Sequence, residues 1–114
     1  MVAFGGQPFG VVALTDASTI AVNAGAGSDF RVTLGGNRTL GAPTNPVDGQ
    51  KIVFQVTQDG TGSRTLAYNA AYEFGTGLAS PTLSTGAGLT DLLGFIYNAT
   101  KAKWLFVAFV SGFS

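Results

Sequence analysis

The feature that most constrains the fold is a predicted β-hairpin near the end of the sequence, residues 92–110. Both arms are rich in aromatic and β-branched residues, and a short polar turn at residues 98–102 separates them. Because side chains alternate along a strand, the second arm is predicted to have two apolar faces. One face would carry Trp104, Phe106, Ala108 and Val110, and the other Leu105, Val107 and Phe109. A single core covers only one of them, so we expect a second layer or a second copy of the chain.

The composition indicates one glycine-rich β domain that assembles with other subunits. The chain has 114 residues, which is typical of one domain. Its 17 glycines and nine phenylalanines favour short strands joined by turns over helices. Only 11% of the residues are charged, against 46% hydrophobic. A soluble monomer normally covers itself with charge, so this balance predicts permanent assembly.

Several classes of site are excluded or disfavoured by the residues that the sequence lacks. It contains no cysteine and no histidine, which excludes disulfides, thiolate metal sites and the commonest general base. Six basic residues balance six acidic ones, so we predict no basic patch and no nucleic-acid partner. No apolar run approaches the roughly 20 residues of a membrane helix, and we predict no membrane contact.

Alternating segments between glycine, proline and Asp-Gly turn signals predict about seven or eight short strands. In chain order they are residues 11–14, 19–22, 29–34, 38–40, 50–58 and 64–68, followed by the two arms of the hairpin. Residues 69–90 are predicted to form a long loop with one or two very short strands. We find no strict internal repeat. The spacing predicts an all-β fold, a β-sandwich or jelly-roll-like barrel of short antiparallel strands.

We divide the chain into an extended N-terminal arm, residues 1–10, and a single β domain, residues 11–114. The arm is uncharged and carries Phe4 and Phe9 among glycines. Two interpretations are open at this point. The arm is either a frayed terminus or a segment that lays its two rings on a neighbouring subunit.

The acidic residues do not form a recognisable catalytic pattern. They are scattered through the chain as Asp16, Asp29, Asp48, Asp59, Glu73 and Asp91. A glycosidase needs two carboxyl groups at a defined separation, and Asp48 and Asp59 precede glycines as turn residues do. The glycine loops lack the Gly-Lys-Ser/Thr ending of a phosphate loop, and no Asp-x-Asp spacing suggests calcium. We therefore predict no catalytic, metal-binding or cofactor-binding residue, and no enzyme activity.

The aromatic residues allow two interpretations. Trp104 could stack on a sugar together with the three tyrosines, Tyr68, Tyr72 and Tyr97. A lone tryptophan in a strand with two apolar faces is more typical of a core or a subunit interface, and we favour that interpretation.

Three segments resemble a module that is common in the virion proteins of tailed phages. They are FRVTLGGNRTLGAPTNP with the following DGQ (residues 30–46 and 48–50), QDGTGSRTL (residues 58–66) and LGFIYN (residues 93–98). Their order and spacing are also those of the module, so the resemblance covers roughly residues 19–113. It implies an all-β structural unit, often trimeric, and no catalytic residues.

The resemblance leaves two places in the virion open. Such modules occur within tail fibres and as small separate virion proteins. The sequence shows neither a base-plate attachment region nor a shaft, so we expect a capsid decoration (cement) protein. It would be made in the bacterial host cytoplasm and would lie on the capsid surface. Its expected partners are further copies of the chain, in a homotrimer, and the major capsid protein. Phe4 and Phe9 would contact the capsid or a neighbouring subunit, and Trp104, Phe106 and Val110 would form the trimer contact. The alternative is a receptor- or glycan-binding module of a tail fibre that uses Tyr72, Trp104 and residues 69–90.

Overall fold

A computed structural model describes residues 10–114, and these form nine strands and one short 3-10 helix at Ala24–Ala26. The strands are β1 (Val11–Ala13), β2 (Thr19–Ile20), β3 (Asp29–Leu34), β4 (Arg38–Leu40), β5 (Lys51–Gln58), β6 (Leu66–Tyr68), β7 (Tyr72–Glu73), β8 (Thr90–Asn98) and β9 (Lys103–Phe113). The predicted all-β class is confirmed, with nine strands in place of seven or eight. Phe4 and Phe9, with the rest of residues 1–9, lie outside the described residues.

The strands form two sheets, and most of the pairings are parallel. The larger sheet has the order β1-β3-β5-β8-β9-β7, and the smaller sheet has the order β2-β4-β6. Among residues 10–114, five of the seven strand pairings are parallel, and β5–β8 and β8–β9 are antiparallel. The prediction of antiparallel strands is therefore wrong for most of this chain. Alternation along a strand shows which face is buried, but it carries no information on the direction of the partner.

The first six strands wind as three stacked coils. The chain passes from the larger sheet to the smaller one and back, so that β1–β2, β3–β4 and β5–β6 each make one coil. Val12, Phe30 and Phe54 occupy equivalent positions in the larger sheet. They are separated by 18 and then 24 residues, so the coils have no constant period that the sequence could show. This is the local geometry of a solenoid, in which each coil contacts its neighbours.

The hairpin β8–β9 extends the larger sheet beyond the third coil. β8 pairs with β5, and β9 pairs with β7. One core lies between the sheets and continues under the hairpin. It is built mainly from the inward faces of β3, β5, β8 and β9, which supply Phe30, Val32, Leu34, Ile52, Phe54, Val56, Leu93, Phe95, Trp104 and Phe106. The prediction that Ile52, Phe54 and Val56 share a buried face is confirmed.

Two Arg–Asp pairs fix the loops of the coils, one between the first and second coils and one within the loop that follows β5. Asp16, after β1, accepts hydrogen bonds from the Arg38 side chain at 2.8 Å and from the Gly35 N–H at 3.1 Å. Asp59, after β5, accepts from Arg64 at 2.8 Å and from the N–H groups of Thr61 and Gly62. Both aspartates therefore stabilise loops of their own chain through these hydrogen bonds.

Acid is expected to weaken the loop that follows β5. The Arg64 guanidinium and the N–H groups of Gly62 and Thr61 lower the pKa of Asp59 from 3.8 to about 2. A carboxyl group whose pKa is lowered by folding contributes stability above its unfolded pKa, and this contribution is lost as the pH falls from about 4 to about 2. We expect the Tm of the wild type to fall more steeply over this range than that of Asp59→Asn. Parallel Tm curves for the two proteins would contradict the assignment.

Candidate functional site: the outer face of the six-stranded sheet

The residues that we predicted to form the trimer contact lie on opposite faces of the larger sheet. Trp104 and Phe106 are 1% and 7% exposed and belong to the core of their own chain. Trp104 packs against Tyr97 with ring centroids 4.9 Å apart, and Phe106 packs against Phe95 at 5.1 Å. The predicted contact is corrected accordingly, because buried rings have almost no surface for a second copy. Val110 is 50% exposed and is available to a partner.

A β-bulge in β9 explains this difference. Phe95 pairs with Phe106, but the preceding residue Gly94 pairs with Ala108, so Val107 is an extra residue in β9. A bulge shifts the alternation of the residues that follow it. Ala108 and Val110 therefore face outward, opposite to the predicted face shared with Trp104. Phe109 turns inward and packs against the core.

A second bulge, at the end of β9, turns Phe113 outward. Leu92 pairs with Val110, whereas Thr90 pairs with Phe113, which leaves one extra residue in β9. Gly112 lies in this bulge with φ of +85°, a conformation that favours glycine. Its N–H donates a 2.9 Å hydrogen bond to Asp91 Oδ1, which fixes the bulge. Phe113 is 49% exposed as a result.

These two bulges produce an apolar surface on the outside of the hairpin, which we call the outer strip. It consists of Val53 on β5 and six residues of the hairpin, Leu92, Ile96, Leu105, Val107, Val110 and Phe113. Its most exposed members are half open to solvent, and none of its side chains is charged. Contiguous exposed apolar surface of this kind is typical of an interaction site. The strip is the candidate functional site of the described chain.

The other half of the same outer face is polar, and it carries one ion pair and the exposed Lys51 of β5. Arg31 on β3 donates to both carboxylate oxygens of Asp29, at 3.2 and 2.8 Å. Gln55 on β5 donates to the same carboxylate at 3.1 Å. Thr57 and Thr90 share a 2.7 Å hydrogen bond between their hydroxyl groups. The outer face therefore has an apolar half on β8–β9 and a polar half on β3–β5.

A buried polar cluster supports the strip from below. Asp91 is 2% exposed, and its Oδ2 accepts a 2.7 Å hydrogen bond from the Ser84 N–H. Gln58, also buried, donates from Nε2 to the carbonyl oxygens of Ser84 and Arg64. Together they hold the segment before β8 against the larger sheet. Neither Asp91 nor Gln58 was predicted to have this role. The position of Gly112 within an apolar strand was the one signal of this bulge in the sequence.

The aromatic residues considered for sugar stacking are largely covered. Trp104 and Tyr72 are both buried, and the Tyr72 hydroxyl donates a 2.8 Å hydrogen bond to the Gly41 carbonyl. Burial raises the pKa of Tyr72 far above its ordinary value, so this hydroxyl stays protonated. Tyr68 packs against Phe74 at 4.9 Å. The structure therefore does not bring Trp104 and these tyrosines together on a surface.

The acidic residues are engaged in structural contacts at several points. In residues 10–114, Asp16, Asp29 and Asp59 each form an ion pair with an arginine. The same residues contain no group of three or more acidic side chains that could hold a metal ion. None of the helices in this part of the chain has the length and hydropathy that a membrane crossing requires.

No protein-family model, curated protein or solved structure matches the chain. The resemblance to phage virion modules therefore depends on the three sequence segments alone.

Proposed function

We propose that this chain is a structural virion protein, a capsid decoration protein that binds the outer capsid surface as an oligomer and stabilises the shell. The observation that carries the proposal is the outer strip, an uncharged apolar surface on a β body whose loops are joined by ion pairs. The resemblance to phage virion modules supports the virion as the setting. In this proposal the chain is made in the bacterial host cytoplasm and has no catalytic residue, cofactor, nucleic-acid partner or membrane partner.

The proposed mechanism is adhesion. Burial of apolar surface contributes roughly 25 cal/mol per Å², so a modest patch gives weak binding for one copy. An oligomer that engages several shell subunits at once binds much more tightly, because each contact after the first is intramolecular. The partners are further copies of the chain, as a homotrimer, and the major capsid protein. Phe4 and Phe9 are proposed to contact the shell.

The small number of free basic side chains supports a protein partner rather than a nucleic acid, because in the described chain only the three lysines, Lys51, Lys101 and Lys103, are outside an ion pair. The three arginines, Arg31, Arg38 and Arg64, are each bound to an aspartate in the described chain. Phosphate recognition depends on basic side chains that are free to neutralise the backbone. The tail-fibre alternative, a receptor- or glycan-binding module, loses its proposed stacking residues because Trp104 and Tyr72 are buried.

Copy number distinguishes decoration from a tail location. Quantitative mass spectrometry of purified virions would give the ratio of this chain to the major capsid protein. Decoration predicts a fixed ratio and on the order of hundreds of copies, as expected for a protein repeated over a shell. A few copies to a few tens per virion would contradict decoration and would indicate a tail or fibre component.

Removing residues 1–9 is expected to weaken attachment to capsids that lack the protein, while leaving the β domain folded. Gly10 is retained because its carbonyl accepts hydrogen bonds from the N–H groups of Ser28 and Asp29. Each phenylalanine ring buried on the shell contributes about 1.5–3 kcal/mol, so the loss is expected to exceed about tenfold in Kd. Gln7→Ala is the matched control in the full-length chain. Unchanged binding of the truncated chain would show that Phe4 and Phe9 do not contact the shell.

A further inference from the structure

We infer that the outer strip packs against a second copy of this chain and forms the centre of the subunit interface. The inference rests on the proposed function, an oligomeric virion protein, and identifies the surface through which two copies pair. Packing of the same face on itself has two-fold symmetry, so the inference replaces the three-fold contact of the predicted homotrimer. It replaces the predicted contact through Trp104 and Phe106, which lie in the core. It retains Val110 and adds the outward-facing neighbours that the two bulges provide, Val107 and Phe113.

The size of the outer face agrees with what a specific interface needs. β3, β5, β8 and β9 are adjacent, and strands lie about 4.8 Å apart, so the four span roughly 19 Å. Eight residues of strand at about 3.3 Å each give a length of roughly 26 Å. The projected area is thus about 500 Å² per copy, or about 1,000 Å² for two copies. This value reaches the lower limit for a specific protein–protein interface.

The chemistry of the face favours a second copy over a charged partner. The strip is uncharged, and the neighbouring charges of Asp29 and Arg31 are paired with each other. The row that carries Ile96 and Leu105 is flanked by Lys51 on β5 and by Glu73 on β7, which have opposite signs. Two copies can therefore meet with charges of both signs at the border of the strip, and the net charge of zero adds no long-range repulsion. An apolar centre beside a polar border is also the usual anatomy of a subunit interface. A copy of the same chain is present from synthesis onward, so it covers the strip before any shell is met.

The shape of the strip permits close approach of another sheet. Val53, Gly94 and Ala108 form one row across three strands. A methyl group added at Gly94 would lie 3.3 Å from the Ala108 side chain, so these two residues already pack closely. Because both are small, this row stands less high above the sheet than the rows beside it. Larger side chains stand on both sides of it, with Ile96 and Leu105 in one row and Leu92 and Val110 in the other. A side chain from a facing copy fits over the low row.

The test is the mass of the full-length protein in solution, measured by light scattering at micromolar concentration. The test variant is Val110→Lys/Phe113→Lys, which places two charges in the strip. The matched control is Val47→Lys, because Val47 is 65% exposed in the loop before β5, outside the strip. We expect the wild type and the control to be oligomers. We expect the double variant to fall to the monomer mass of 11.6 kDa with an unchanged circular dichroism spectrum.

Either of two results would overturn the inference. One is a monomeric wild type, and the other is a double variant that keeps the wild-type mass. Because both substituted side chains are about half exposed, the variant is expected to fold. If it does not, Val107→Lys provides the same charge test at another exposed position of the strip.

Binding of the same proteins to capsids separates this inference from the proposed function. An oligomeric wild type that does not bind capsids would overturn decoration and leave the strip as the subunit interface. A monomeric wild type that binds capsids, and loses binding in the double variant, would overturn the inference. In that case the strip contacts the capsid protein directly, and decoration stands.

Discussion

Phe54→Ala is expected to lower the free energy of unfolding by about 3–5 kcal/mol. Phe54 is fully buried at the middle of β5. Its ring lies 5.6 Å from Phe30 and 5.8 Å from Phe95, and Tyr72 contacts its edge at 6.1 Å. Removing the ring forfeits its burial and leaves a cavity among neighbours that are held in three different strands. Urea denaturation at a fixed protein concentration measures the effect, since the stability of an oligomer depends on concentration.

The control for this experiment is Val47→Ala, because Val47 is 65% exposed in the loop before β5, outside the outer strip. It removes apolar side-chain atoms without opening a cavity, so its effect on unfolding within one subunit is expected to stay within about 0.5 kcal/mol. Equal losses of unfolding free energy for Phe54→Ala and Val47→Ala would contradict the assignment of Phe54 to the centre of the core.

Asp91→Ala is expected to lower the free energy of unfolding by about 2–4 kcal/mol, the second large effect. The carboxylate accepts hydrogen bonds from the N–H groups of Ser84 and Gly112, which alanine would leave without a partner. An unsatisfied buried donor costs about 1–3 kcal/mol, and the two donors here are only partly buried, so about 1–2 kcal/mol is expected for each. The substitution also frees the bulge at Gly112, so Phe113 is expected to leave the outer strip.

Two measurements check this prediction. Denaturation should show a smaller loss of unfolding free energy for Asp48→Ala, about 0.5–1.5 kcal/mol. Asp48 accepts only one hydrogen bond of this kind, from the Ala99 N–H in an exposed turn. Light scattering should show weaker self-association of Asp91→Ala than of Asp48→Ala, since only Asp91 positions part of the strip. If Asp91→Ala were as stable as the wild type, the proposed role of the carboxylate in holding the bulge would be wrong.

Much of the fold could be predicted from local patterns. Ile20 and Val22 were expected to point inward, and both are buried. The alternation of Phe30, Val32 and Leu34 likewise predicted their buried face. Such alternation depends only on the geometry of one strand, so a single sequence is enough to find it.

The direction of pairing and the orientation of β9 could not be predicted in the same way. Parallel coils require knowledge of which strands are neighbours, and the spacing of 18 and 24 residues between Val12, Phe30 and Phe54 hides the repeat. A bulge depends on a mismatch between two strands, as at Val107 opposite Gly94 and Phe95, and neither strand shows it alone. The prediction that Val110 shares a face with Trp104 and Phe106 was wrong because it assumed uninterrupted alternation.

The position of the hairpin between the third coil and β7 has a consequence for the order of folding. β7 precedes the hairpin in the sequence, but it pairs with β9 and not with β5. On the ribosome, Tyr72 is therefore synthesised well before Trp104, the residue beside which it pairs. Until β8 and β9 emerge, the edge of β5 that faces away from β3 and the residues of β7 have no strand with which to pair. We expect closure of the sheet by the hairpin to limit the folding rate, because pairings between distant segments form slowly. The coils would form first, and the outer strip would exist only after the last strand is in place.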